Sequence, residues 1–188
     1  MTLFEMQSKY LALIEELNPN SEQLTDDPDI AAKQIEVVNQ ILFEMCRIKK
    51  IPKYAEISVN DGDLLTFEDI EGEVGLPVYQ LVLVGGVKHE LKAGGTVIKI
   101  RETGTAEIEV YCYPERITAT TKPKAYEFEV SDDVLEIMPY GIAADLLKSD
   151  VSAEYGSVYA TRYEQLKQML DPRYQMPMFT IEEGAVMI

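Results

Sequence analysis

The spacing of apolar residues divides the chain into helical ends and a strand-rich middle. Over Thr2–Leu17 they recur at intervals of three and four, the spacing of one helix face. Thr2 and Glu5 have the separation of a capping box, in which each side chain accepts a backbone N–H of the other residue. We therefore predict a first helix with the apolar face Leu3, Met6, Tyr10, Leu13, Ile14 and Leu17.

A second helix is predicted between the polar loop that follows Asn18-Pro19 and the break at Ile51-Pro52. Asp27 or Asp29 can cap its first turn and complement the positive end of the helix dipole. Basic residues follow at its negative end. One side carries Ile30, Gln34, Val37, Val38, Ile41, Leu42, Met45 and Ile48.

From Tyr54 to Val130 the apolar period changes to two, which is typical of strands. The turn at Asp61-Gly62 predicts a tight hairpin, and Gly85-Gly86 another turn. The glycine-rich run around His89 is interpreted as two β-turns. Short strands separated by frequent turns favour a small antiparallel sandwich or barrel. The predicted strands are 55–59, 64–67, 79–84, 97–101, 106–113 and 125–130.

Residues 131–170 predict two further helices. Ser131 or Asp132 can cap the first, and Pro139 is expected to interrupt it and open a second segment. The small residues around Gly141 would let another helix approach closely. The last helix should start near Ser149, Asp150 or Ser152 and end before Asp171-Pro172. Its stripe is Tyr155, Val158, Tyr159, Arg162, Tyr163, Leu166, Met169 and Leu170.

This order of elements predicts an α+β fold with an insertion. Residues 1–53 and 131–170 supply helix pairs that complete one bundle, and residues 54–130 form the inserted β-domain, whose two ends must then meet. Because loop-closure entropy grows slowly with length, removal of 54–130 should leave a helical core. Tyr155, Tyr159 and Tyr163 are assigned either to the bundle core or to a partner interface, since tyrosine is favoured in both.

Residues 171–188, the C-terminal arm, are apolar although two prolines exclude a long helix. Such a terminal segment usually docks, either on its own domain or on another protein. We predict a partner or oligomer interface, with 178–181 able to add as a strand to a sheet edge. The interface residues would be Met176, Met178, Phe179, Ile181, Val186, Met187 and Ile188.

Charge and composition restrict the possible partners. The net charge of −16 is spread along the chain, which argues against tight binding to phosphates or to an anionic membrane. No apolar run approaches the roughly 20 residues that span a bilayer, and the start lacks the basic and apolar regions of a signal peptide. Cys46 and Cys112 are interpreted as buried, reduced thiols of a cytosolic protein.

Motifs for catalysis or cofactor binding are lacking. His89 is the sole histidine, and its turn-rich surroundings do not suggest a catalytic base. The glycine-rich run lacks the Gly-Lys-Ser/Thr ending that binds phosphate. Residues 54–87 contain seven acids and no base, which is compatible with a solvated loop or, less readily, with calcium. We therefore expect a non-enzyme without metal or cofactor.

The two predicted helices of residues 131–170 resemble a pair of helices in a known protein family. The run MPYGIAADLLKSD, a polar gap and the tyrosine-bearing EYGSVYATRYEQLKQML are similar to an apolar-x-x-Ala-Ala-x-Leu-Leu helix followed by a Tyr-x-x-x-Tyr helix. Together with the N-terminal helix pair and the β-rich middle, this pattern resembles the head-to-tail connector, or adaptor, proteins of tailed bacteriophages.

The resemblance implies a structural virion protein of the neck, assembled in the host cytoplasm. It would form a ring, commonly a dodecamer, between the portal protein and a downstream stopper or tail protein. Double-stranded DNA would pass through without specific binding, and no membrane is involved. The alternative from another class is a tail-associated module that binds host-surface carbohydrate through exposed aromatic residues of the β-domain.

Overall fold

The computed structural model describes residues 1–148 and 153–170 and has a mixed α+β fold. The described part contains five α-helices and two three-stranded antiparallel sheets. The helices are α1 (Leu3–Leu13), α2 (Pro28–Ile48), α3 (Phe67–Val74), α4 (Asp132–Leu147) and α5 (Ala153–Met169). The strands are β1 (Ile51–Val59), β2 (Leu64–Thr66), β3 (Val78–Gly85), β4 (His89–Lys92), β5 (Val97–Ile100) and β6 (Gly104–Cys112).

Two separate hydrophobic clusters organise the molecule. The helical cluster combines α1, α2, α4 and α5, and α4 packs against the other three. The β cluster fills the space between the two sheets and includes Ile70 of α3. Elements from both ends of the sequence therefore share one core, while the elements between them build a second core.

The first two helices begin as predicted. Thr2 and Glu5 form the reciprocal capping box, with Thr2 N–H donating to the Glu5 carboxylate at 2.8 Å. Asp27, not Asp29, caps α2 and accepts from the N–H groups of Asp29 and Ile30. However, α1 ends at Leu13 instead of Leu17, because Glu15 adopts a left-handed φ of 62° that a continuing helix does not permit.

The prediction that Pro139 interrupts the fourth helix is wrong. Helix α4 runs without a break through Pro139, which is buried. A proline inside a helix removes one backbone hydrogen bond, and packing of α4 against three helices stabilises it despite that loss. The side chain of Ser131 makes no capping hydrogen bond. The predicted start positions of α5, Ser149, Asp150 and Ser152, lie outside the described residues.

Strand pairing differs from the predicted local hairpin. Gly62 supplies the expected turn with a φ of 95°, but β1 and β2 do not pair with each other. Instead β1 pairs with β6 over nine positions, from Ile51 opposite Cys112 to Val59 opposite Gly104. The orders are β1-β6-β3 and β2-β5-β4, so the Asp61-Gly62 turn carries the chain from one sheet to the other.

Two elements replace predicted loops and turns. The acidic stretch after Thr66 contains α3, with a second capping box between Thr66 and Asp69 and a left-handed Gly75 at its end. Part of the glycine-rich run forms β4, which pairs with β5 from His89 opposite Ile100 to Lys92 opposite Val97. Polar composition concealed both elements, although the cap residues of α3 were visible in the sequence.

The predicted strand over 125–130 is not formed. Its one bridge joins Thr2 and Glu127, and Phe128 and Val130 are buried in the helical cluster. The alternation of apolar and polar residues in this segment therefore arises because one side of an extended chain is buried. The segment does not pair along its length with another strand of the described residues. The loop that leads from β6 to this segment is bound to α2, because the Asn39 amide exchanges two hydrogen bonds with the backbone of Ile117, at 2.8 and 2.9 Å.

The remaining strand predictions agree with the structure. Strands β3, β5 and β6 lie close to the predicted ranges, and Ile108, Val110 and Cys112 share the buried face of β6. Cys46 and Cys112 are both buried and free. Burial raises the pKa of Cys46 to about 12 and that of Cys112 to about 11, which keeps both as neutral thiols at pH 7.

Candidate functional site

The three tyrosines of α5 occupy different environments. Tyr163 is 5% exposed and its hydroxyl donates to Met45 Sδ at 3.3 Å. Tyr159 is half-buried and its hydroxyl donates to the backbone oxygen of Leu13, which links α5 to the end of α1. Tyr155 is 69% exposed. Tyr163 therefore belongs to the helical core, Tyr159 to a helix contact, and Tyr155 to the surface.

Close approach of α4 and α5 fixes the buried side of this site. A Cβ atom at Gly141 would lie 2.8 Å from the Tyr163 ring, so only glycine fits without a shift. Burial raises the pKa of Tyr163 above its ordinary value, and the nearby Glu44 acts in the same direction. Lys167 donates to Glu44 at 2.8 Å and holds α5 against α2. The small residues of α4 thus permit the helix approach that the sequence predicts.

A groove of about 820 Å³ lies between α1, α4 and α5. Its floor is apolar, with the buried Ile137 and Pro139 of α4 and the half-buried Leu166 of α5. Leu13 and Tyr140 are also half-buried there. The remaining lining residues are Lys9, Ala12, Asp133, Glu136, Arg162, Met169 and Leu170.

The groove rim carries charges of both signs. Within the described part of the chain, neither Lys9 nor Arg162 has a carboxylate within the 4.0 Å of an ion pair. Asp133 bonds to Lys49 at 2.7 Å. Partial burial alone would raise the pKa of Asp133, but the hydrogen bond and charge of Lys49, together with the carboxylate's other hydrogen bonds, lower that pKa. Lys9 and Arg162 are therefore available at the rim to bind an acidic ligand, whereas the carboxylate of Glu136 would repel it.

Beside the groove, α5 exposes apolar side chains to solvent. Tyr155 is 69% exposed, Val158 63% and Met169 79%. These residues recur at helical spacing on one edge of α5, and Arg162 lies in the same stripe. Exposed apolar side chains of this size are candidates for a protein contact. We call Tyr155, Val158 and Met169 the α5 edge.

The arm residues of the predicted interface lie outside the described residues. These residues are Met176, Met178, Phe179, Ile181, Val186, Met187 and Ile188. The described chain ends at Leu170, which is buried at the groove.

The aromatic residues of the β part pack mainly on one another. Tyr79 and Tyr113 have ring centroids 4.5 Å apart, and Phe43 of α2 lies 5.3 Å from Tyr113. Tyr111 lies beneath the Lys50 ammonium and is 6% exposed. Tyr54 is the exposed tyrosine of this part, at 66%. The carbohydrate-binding alternative stays a prediction, which a glycan array would test.

The described residues contain no group of three or more His, Cys, Asp or Glu side chains arranged to hold a metal ion. In the same residues, no helix combines the length and the apolar character needed to cross a membrane.

Sequence patterns found the tyrosine stripe but not the groove. The groove joins Ala12 of α1, Tyr140 of α4 and Arg162 of α5, which are far apart in the sequence. Periodicity identifies the apolar face of each helix, but not the distance between faces of different helices. The signal present in the sequence was Arg162 within an otherwise apolar stripe, which marks the border of the buried face.

Comparison with protein-family models and with curated proteins finds no match for this chain.

Proposed function

We propose that this chain is a structural subunit of the head-to-tail junction of a tailed bacteriophage. It would form a ring between the portal protein and a downstream stopper or tail protein, and it would act as a non-catalytic adaptor of the virion neck. The observation that carries the proposal is the order of elements. Helices from both ends of the chain share one hydrophobic core, and a strand-rich segment lies between them.

The finer architecture belongs to the same proposal. We interpret the fold as a bundle completed by N-terminal and C-terminal helix pairs, with an inserted β-sandwich. Support comes from the contacts of α4 with α1, α2 and α5, and from the single cluster shared by the two sheets. The register of Ile51 opposite Cys112 brings the two ends of the strand-rich segment together, as an insertion requires.

Charge and exposed surface support a ring around DNA. The net charge of −16 suits a channel that repels a passing duplex, since binding to phosphates needs clustered Lys and Arg. A ring requires contacts between two different surfaces of each subunit. The α5 edge supplies one apolar surface, and the arm supplies apolar residues that could contact a neighbouring adaptor or the portal.

The proposal predicts a defined oligomer. Native mass spectrometry of the full chain, alone and mixed with the portal protein of the same virus, should show a closed ring, with twelve subunits as the expected number. Tyr155→Arg should reduce the ring at least about tenfold, because a charge placed in an apolar contact costs more than about 1.4 kcal/mol.

A matched variant controls for the added charge. Ala160→Arg introduces the same side chain at another exposed position of α5 and should leave the ring intact. Two results would contradict the assignment of the α5 edge as a subunit contact. One is a monomer both for the unaltered chain alone and for its mixture with the portal protein, and the other is an equal loss of the ring in the two variants.

A further inference from the structure

The groove between α1, α4 and α5 is an apolar surface that the described residues leave open. Its walls include Met169, which is 79% exposed, and the half-buried Tyr140 and Leu166. A groove of about 820 Å³ has room for several large side chains.

The chain itself leads into this groove. Met169 and Leu170 line it, and the arm follows immediately in the sequence. Aspartate and proline are favoured at the first two positions of a type I turn, so the sequence Asp171-Pro172 is suited to a reversal of the chain direction. Such a turn would direct the arm back along α5, from Met169 towards Arg162.

The dimensions of the arm match the groove. Four residues in extended conformation, such as Met178–Ile181, span about 13 Å. Asp133 and Tyr140 mark the groove along α4, and the seven helical steps between them span about 10 Å. Residues 171–177 are more than enough to connect Leu170 with this stretch.

The charges of arm and rim are complementary. Glu182 and Glu183 directly follow the apolar stretch of the arm. With the arm antiparallel to α5, they would reach the rim at Arg162. Arg162 and Lys9 have no ion-pair partner among the described residues, and Glu136 is the opposing charge.

We infer that in the free subunit this groove holds the chain's own arm, with Met178–Ile181 on the apolar floor and Glu182-Glu183 at the cationic rim. The connection through a short linker gives an effective concentration of about millimolar, so even a weak contact is populated. The inference does not depend on the proposed function. If the chain is an adaptor, assembly must release the arm before it can contact a neighbour.

Paired cysteines in the full chain test this inference. Ala12 is exposed on the groove wall next to Leu13, whose backbone oxygen accepts from Tyr159, so it lies at the Arg162 end of the groove. Ala12→Cys combined with Ile181→Cys, which the inferred direction of the arm places at the same end, should form a disulfide within one chain under glutathione disulfide.

The control pairs Ile181→Cys with Ala32→Cys, an exposed alanine of α2 outside the groove. Cys46 and Cys112 are buried and do not compete.

At micromolar protein, the groove pair should cross-link within the chain at least about tenfold faster than the control pair. Arg162→Glu should slow this reaction about two- to fivefold, as loss of a surface ion pair does, and Glu183→Arg added to it should restore the rate. Disulfide-linked dimers would assign the groove to a second copy. Equal rates for the two pairs would overturn the inference.

A measurement on the unaltered chain gives an independent answer. Nuclear Overhauser contacts between the methyl groups of Ile181 and the ring of Tyr140, which lies next to Gly141 at the Arg162 end of the groove, should appear and persist on dilution. Their absence, or their loss on dilution, would contradict docking within one subunit.

Discussion

The helical and strand-rich parts of the molecule are stabilised differently. All four buried polar side chains of the described residues, Gln7, Thr25, Gln34 and Asn39, lie in the helical part. Tyr10 donates to Gln34 at 2.8 Å, and Asn39 pairs with the backbone of Ile117. The β cluster is apolar and is fixed by strand register. Both parts therefore join segments that are distant in sequence, the helical part through specific side-chain hydrogen bonds and the β part through the backbone pairing of β1 with β6.

Two deletions give the largest expected difference between the parts. Replacing Pro52–Tyr111 by a short Gly/Ser linker joins Ile51 to Cys112, which face each other in the sheet. This variant should keep its helices and melt cooperatively in circular dichroism. Deleting Tyr54–Val130 also removes Ile117, Phe128 and Val130 from the helical cluster, at about 1.5–3 kcal/mol for each buried side chain.

We therefore expect the longer deletion to abolish the cooperative melt, which replaces the expectation from the sequence alone that removal of 54–130 leaves a helical core. Equal behaviour of the two deletions would show that segment 113–130 is not part of the helical core.

Removal of the Asn39 contact should cost less than the longer deletion but more than a surface change. Asn39→Ala leaves the N–H and C=O of Ile117 buried without a partner, which costs about 2–4 kcal/mol in the free energy of unfolding. Gln40→Ala, at the neighbouring position, removes only an exposed hydrogen bond of 3.2 Å to Asp145 and should change it by about 0.5 kcal/mol. Urea denaturation measures the free energy of unfolding of both variants. A similarly small change in the two variants would contradict a stabilising role for the contact between Asn39 and Ile117.

Two glycine substitutions should have opposite signs in the two parts. Gly141→Ala brings a methyl group against Tyr163 and should destabilise the helical part by about 1–2 kcal/mol. Gly72→Ala in α3 meets nothing within 4 Å and should stabilise by about 0.5–1 kcal/mol through helix propensity. Thermal melts would show the difference, and a stabilising Gly141→Ala would mean that α4 and α5 are less closely packed.

The smallest expected effect is the pH dependence of the contact between Asp133 and Lys49. Because the folded state holds the pKa of Asp133 below its ordinary 3.8, the contact stabilises the fold above that pH. The stabilisation is lost as pH falls through the lowered pKa. Asp133→Asn should thus cost less than about 1 kcal/mol at pH 7 and nothing near pH 2. A difference that grows on acidification would contradict this sign.

Helix prediction was more successful than strand prediction for a physical reason. The apolar face and cap of α2 are local signals, and both are read directly from the sequence. The pairing of β1 with β6 depends on contacts across some fifty intervening residues, which no local pattern contains. The α5 edge and the groove also depend on tertiary contacts. Among the predicted site residues that the structure describes, only Tyr163 has the core position that its spacing indicated.

The proposed place in the virion is tested most directly by immunogold electron microscopy. An epitope inserted at the exposed Asp61-Gly62 turn would leave both clusters untouched. Our account predicts gold particles at the single junction between head and tail of assembled virions. Label on the capsid faces or on the distal tail, or particles without label, would contradict the assignment to the neck.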